Sequence, residues 1–334
     1  SILPIFTIFA SDMSFEELEN GKDTESLYSR PDRLRAFLHL VLGIMFFFGS
    51  ALVLSGVAVG VCSYLFHGEF SDISAALSIV EDLKSDPILL KIFIFISSSL
   101  PMIAAVFLVV LTIKATPKDF LMLHLPGNLK WFGLSILFVF VSISLMGLFL
   151  QINELIDFSQ WPELYSWLQE QDLNNNALYE AMIGEKNGLS ILTSLLFMAF
   201  FPALAEELFF RGFLMNVFNG MFKNMHVAIV VTAIIFSVIH LQFTKFLPMM
   251  FLAIVFGYAA YWSGSVWTSV LAHFLNNAMA VIQLYFFTDG SYEKALEQGA
   301  TLPVGASVAL LVIVAGLFYY IQNNTTTKTE NFYV

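Results

Sequence analysis

Hydrophobic positions along this chain fall in long uninterrupted blocks rather than in the narrow stripes of a surface helix. Apolar runs occupy residues 36–66, 88–113, 131–152, 189–218, 227–241, 246–262, 266–287 and 303–321, divided by polar segments. At 1.5 Å per residue each is long enough, or nearly so, to cross about 30 Å of hydrocarbon. The pattern predicts an all-α, polytopic transmembrane helical bundle of about eight spans. The polar blocks carry their own signals. Residues 1–35 open on a short, mainly apolar stretch (1–10) without a basic n-region, which reads as an interfacial or docked segment, and continue through Ser14-Phe15-Glu16-Glu17, a capping-box pattern. Residues 153–187 are rich in Asp and Glu and hold Trp161 and Trp167. They predict an additional external amphipathic helix lying at the interface with Trp at headgroup level, with a lid or a partner-docking surface as the alternatives.

The expected organisation is therefore an N-terminal cytoplasmic or interfacial segment (1–35), three transmembrane helices (36–152), an external amphipathic segment (153–187), a helical core (188–288), and a last loop, helix and tail (289–334). Composition agrees with a bilayer. The chain is 58% hydrophobic and 12% charged, where soluble domains carry about a quarter charged residues. A formal net charge of -11 without a basic stripe excludes nucleic acid as a partner, because phosphate must be neutralised by clustered Lys and Arg. The single cysteine, Cys62, lies in an apolar run and reads as a small buried side chain. Gly56 and Gly60 in the first run have the spacing that lets helices approach closely, read here as packing within the chain.

Loop charge sets an expected orientation. With eight spans, one face collects Lys22, Arg30, Arg33, Arg35, Lys114, Lys118, Lys130, Lys223 and Lys328; the other receives Lys84, Lys91, Lys186, Lys245 and Lys294 and most loop carboxylates. Positive charge is retained inside, so both termini are expected in the cytoplasm and the acidic loops outside, where they offer a surface for a partner protein.

Against this apolar background Glu206, Glu207 and Arg211 stand out. A charge at mid-bilayer costs roughly 2.5–3.5 kcal/mol even on lenient scales, so such groups have partners or face a cavity. Glu207 and Arg211 are four apart and share a helical face, where they can pair. Glu206 points about 100° away and needs a partner from another helix. His240, His273 and Asn277 are candidates, the last two again four apart. Counted from the inner span ends, Glu206 lies about 18 Å deep, Asn277 about 16 Å, His273 about 10 Å and His240 about 21 Å, so that one mid-membrane cavity can hold all four. His226, at a span edge, reads as solvated, and His39, His67 and His124 lie outside the set.

Such a set suits two chemistries. A carboxylate with an imidazole beside it takes a proton from water, while a second imidazole and an amide donate to an oxyanion. Alternatively Glu206, His240 and His273 are ligand types that suit Zn²⁺, although the H-E-x-x-H signature is absent.

Glu206-Glu207-x-x-x-Arg211, Phe236-x-x-x-His240 and His273-x-x-x-Asn277, in that order on separate apolar spans, resemble the three motifs of the CPBP family, which comprises CAAX prenyl endopeptidases of the Rce1 type and bacteriocin-processing or immunity-type proteins. The resemblance covers about residues 189–280 and implies a glutamate-dependent intramembrane endopeptidase acting without a cofactor on a membrane-associated protein or peptide. Carried over by position, Glu206 is the general base assisted by His240, His273 and Asn277 stabilise the oxyanion, and Glu207 and Arg211 support the site. The competing expectation is a non-catalytic scaffold or immunity-type protein that holds a partner on its external loops.

Overall fold

All eight apolar runs are helical. The computed structural model describes residues 33–70, 76–156, 160–286 and 303–324, and every regular element among them is a helix. They are α1 (Arg33–His67), α2 (Ala76–Leu83), α3 (Pro87–Ile113), α4 (Pro117–Phe120), α5 (Lys130–Asn153), α6 (Pro162–Ile183), α7 (Gly188–Phe222), α8 (Met225–Ile239), α9 (Phe246–Ser263), α10 (Val266–Phe286) and α11 (Val304–Asn324). The expectations for 1–32, including the capping box, and for Lys294 and Lys328 lie outside the described residues.

Five of these helices, α1, α3, α5, α7 and the stretch Phe243–Ser263 that contains α9, are long and apolar enough to cross a membrane. The protein is a multi-pass membrane bundle. Helix α8 is apolar but has 15 residues, about 22 Å, and therefore ends inside the span of its longer neighbours. His240 is the residue that caps its C-terminal end.

Two of the long helices are not regular. A wider π turn occupies Phe95–Ser99 in α3 and another Leu195–Phe200 in α7, and each is followed by a proline, Pro101 and Pro202. Proline has no N–H to offer and its ring collides with the carbonyl four residues back, so the turn before it opens. A further π stretch, Leu208–Leu214, begins directly after Glu207. The carboxylates thus lie between two widened turns of α7.

Helix α6 is anchored to the bundle at one end. Trp161 and Trp167 are exposed, as expected, but its C-terminal end is driven into the bundle. Met182 packs with Ala58, Val59, Cys62, Leu90 and Phe93, and Ile183 with Val281, Leu284 and Tyr285. The helix stops at Gly184, whose φ of 61° is left-handed and whose missing side chain admits Pro87 at the start of α3.

Two lysines assigned to outer loops are buried instead. Lys91 is 1% exposed and donates to the Thr193 hydroxyl at 3.0 Å, and Lys245 is 9% exposed beside α6. Both leave the loop tally. Of the two glycines singled out in the first run, Gly56 is not at a close helix approach. A side chain at Gly56 would meet nothing within 4 Å, whereas one at Gly43 would collide with the buried Phe213 ring. Gly43→Ala is expected to lower stability by about 1–3 kcal/mol, the usual cost of overpacking, and a depressed thermal midpoint in detergent would register it. Gly56→Ala is expected to leave that midpoint unchanged.

Candidate active site

The central helix α7 supplies both carboxylates, and they are used differently. Glu207 is fully buried and its Oε1 accepts from Arg211 Nη1 at 2.7 Å. Arg211, 1% exposed, also donates Nη2 to the Ala253 carbonyl on α9 at 2.9 Å. Its guanidinium lies 5.1 Å from the Phe236 ring centroid and 5.6 Å from that of Phe256, so aromatic faces supply the rest of its surroundings. The i, i+4 pair is formed as its spacing predicts.

Glu207 has a second partner that its sequence neighbourhood does not announce. His273 Nδ1, from α10, lies 2.8 Å from the same Oε1. A carboxylate can only accept, so Nδ1 of His273 carries hydrogen and Nε2 is turned the other way. The ring is 7% exposed by its side chain, stacked on Phe256 at 5.1 Å and edge-on to Phe236 at 6.0 Å. Its orientation is therefore held on three sides.

His240 is fixed by the same logic. Its Nδ1 lies 2.6 Å from the Phe236 carbonyl, again an acceptor only, so Nδ1 donates and Nε2 faces inward. Phe236 also packs against the ring at 4.4 Å between centroids. The spacing Phe236-x-x-x-His240 is thus a local hydrogen bond that closes the C-terminus of α8.

Both inward nitrogens point at one atom. Glu206 Oε2 lies 3.9 Å from His240 Nε2 and 3.8 Å from His273 Nε2. These separations are too long for direct hydrogen bonds and suit a bridging group. That oxygen is buried and has no hydrogen-bond partner among the described residues. Three helices, α7, α8 and α10, bring Glu206, His240 and His273 together.

Asn277 sits one turn beyond His273, partly buried, and its Oδ1 accepts from Asn276 Nδ2 at 3.3 Å. No hydrogen bond joins it to Glu206, His240 or His273 among the described residues. His226, expected to be solvated, meets the Tyr258 hydroxyl at 2.8 Å. His67 and His124 pair with Asp82 and Asp119 away from the cluster. Among the described residues no group of three His, Cys, Asp or Glu side chains is arranged to hold a metal ion.

Fold and site together define a helical membrane protein with a buried carboxylate–imidazole centre. Residues 188–279 match the family model described as type II CAAX prenyl endopeptidase Rce1-like. The matched segment runs from the first residue of α7 into α10 and contains all seven residues named in the motifs; residues 33–187 lie outside it. No curated protein and no solved structure matches the chain.

Proposed function

We propose that the protein is an intramembrane endopeptidase that hydrolyses a peptide bond of a membrane-associated protein or peptide with water activated by Glu206 and His240. The observation that carries this reading is Glu206 Oε2, buried, without a hydrogen-bond partner among the described residues, and facing two inward imidazole nitrogens at 3.8 and 3.9 Å. A water between Glu206 and His240 gives one proton to the carboxylate and directs the other to the Nε2 lone pair of His240. Its oxygen then attacks the scissile carbonyl carbon, and Glu206 passes the proton it took to the departing amine. His273, whose Nε2 faces Glu206 and whose Nδ1 is held by Glu207, stabilises the oxyanion. Asn277, whose Oδ1 is engaged by Asn276, has Nδ2 left to donate to the same oxygen. Glu207 and Arg211 hold His273 in place.

The same reading places eight crossings, both termini in the cytoplasm and α6 on the outer side, as the loop charges direct. The family description supports a membrane substrate met within the bilayer.

The test compares protein termini in cells carrying the native chain and Glu206→Gln. A new terminus present only with the native chain names the substrate. A phenotype that survives Glu206→Gln and is lost on deleting residues 153–187 would instead establish the scaffold reading, with the acidic external segment as the docking surface. In vitro, His240→Ala is expected to slow cleavage of an internally quenched farnesylated CAAX peptide about 10²-fold or more, within the usual contribution of a positioned acid or base. Chelator treatment is expected to leave the native rate unchanged; loss of activity restored by Zn²⁺ would move Glu206, His240 and His273 to the role of ligands.

A further inference from the structure

The turn that carries His240 is irregular and is held from outside the matched segment. His240 closes α8, Leu241 takes a left-handed φ of 53°, and the chain passes through the 3₁₀ turn Phe243–Lys245 before α9 begins. A leucine in that backbone region costs free energy and persists where its surroundings over-determine it. Two buried side chains do so. Asn153, the last residue of α5, donates Nδ2 to the Phe243 carbonyl at 2.7 Å and accepts the Leu247 N–H on Oδ1 at 3.0 Å. Asp172, from the middle of α6, accepts the Thr244 hydroxyl on Oδ2 at 2.6 Å.

Asp172 is the only polar side chain among the buried residues of α6, which are Leu168, Asp172, Met182 and Ile183. Lys245, the next residue of the same turn, is also buried. The helix packs against the Phe243–Lys245 turn, and also against the first turns of α3 and of α7.

We propose that Asp172, acting through Thr244, is a positioning residue that sets where His240 presents Nε2 to Glu206, making α6 a working wall of the site. The inference rests on the hydrolytic reading above. Its physical basis is the 3.9 Å gap between His240 Nε2 and Glu206 Oε2, which takes one water. Misplacing a reacting group by about 1 Å costs on the order of 10²-fold in rate. Releasing the Thr244 end of a strained turn four residues from His240 allows such a displacement.

The experiment uses the full chain in liposomes and an internally quenched farnesylated CAAX peptide. Asp172→Ala and the nearly isosteric Thr244→Val are each expected to lower kcat about 30-fold with KM within about twofold, in line with that displacement cost. Thr244→Ser, which restores the hydroxyl, is expected to recover most of the loss. Asp172→Ala combined with His240→Ala is expected to be no slower than His240→Ala alone, because a residue that acts through His240 has nothing left to act on. A merely structural Asp172 would add its own loss to that of His240, and this result would overturn the proposal. A second readout needs no substrate: with ¹⁵N-labelled histidine, Thr244→Val and Asp172→Ala should shift the His240 ring signals and leave those of His273 in place. If the native chain cleaves nothing, that outcome counts against the hydrolytic reading alone, and the ring signals decide the proposal, unmoved His240 signals overturning it.

Discussion

Glu206→Gln is expected to abolish hydrolysis, by about 10³-fold or more, while the protein unfolds at the native temperature or slightly above it. The two halves of this expectation come from one piece of geometry. Glu206 Oε2 is buried, 3.8 and 3.9 Å from two imidazole nitrogens, and forms no hydrogen bond among the described residues. A positioned general base contributes about 10²–10⁴-fold, and Gln cannot take a proton from water, so the rate falls by the upper part of that range. Folding gains nothing from a buried carboxylate oxygen without a partner; replacing it by a neutral amide of the same shape removes a desolvated charge. Function and stability are thus set against each other at this position, as is common at active sites. Single-turnover cleavage and thermal unfolding in the same detergent check the expectation together. A retained rate would remove Glu206 from the role of base, and a large fall in the thermal midpoint would make it a structural residue.

Arg211→Met should do the opposite and damage the fold first. Arg211 is 1% exposed, neutralises Glu207 at 2.7 Å and ties α7 to the Ala253 carbonyl of α9. Removing one member of a buried pair leaves an uncompensated charge and costs about 3–5 kcal/mol, a large part of the 5–15 kcal/mol that holds a typical protein together. The expected observation is poor accumulation in the membrane and a strongly lowered midpoint. Converting the partner as well, as Glu207→Gln with Arg211→Met, should fold better than Arg211→Met alone, since no lone charge remains. The double variant is still expected to be inactive, because His273 Nδ1 then loses the carboxylate that orients it. If the double variant were less stable than either single one, the pair would owe its place to packing and not to charge balance.

These expectations separate roles that lie one residue apart, and the sequence already distinguishes them in part. Glu207 and Arg211 are four residues apart, so their pairing follows from the rise and turn of a helix and needs no tertiary information. The direction of Glu206, away from that pair, follows from the same geometry. The order of the three motifs points to the family that the match over residues 188–279 supports. By contrast, the link from Glu207 to His273 joins positions 66 residues apart, and no local rule selects His273 over His240 as its partner. Wider turns in α3 and α7 had a signal in Pro101 and Pro202, whereas the π stretch after Glu207 has no such marker.

The largest departures concern charge and depth. Lys91 and Lys245 stand at the edges of apolar runs and read as loop charges, yet both are buried against neighbouring helices. Helix α6 reads as an interfacial helix because most of its residues are polar, and only the packed structure sends Met182 and Ile183 into the bundle and Asp172 onto the turn beside His240. Burial of a polar helix depends on what the rest of the chain offers it, which its own composition does not contain.

The sequence by itself determined that this is a helical membrane protein, where its helices run, and that Glu206, Glu207, Arg211, His240, His273 and Asn277 are the residues to consider. Hydrophobic length and the 3.6-residue turn are local properties, so local sequence is sufficient for them. Tertiary structure alone decided that His240 and His273 turn their Nε2 atoms toward one oxygen of Glu206, that Glu207 is shared between Arg211 and His273, and that Asn277 bonds to Asn276 rather than to the cluster. Those relations depend on the relative depth and rotation of separate helices, set by packing among α7, α8, α9 and α10 rather than by any one of them.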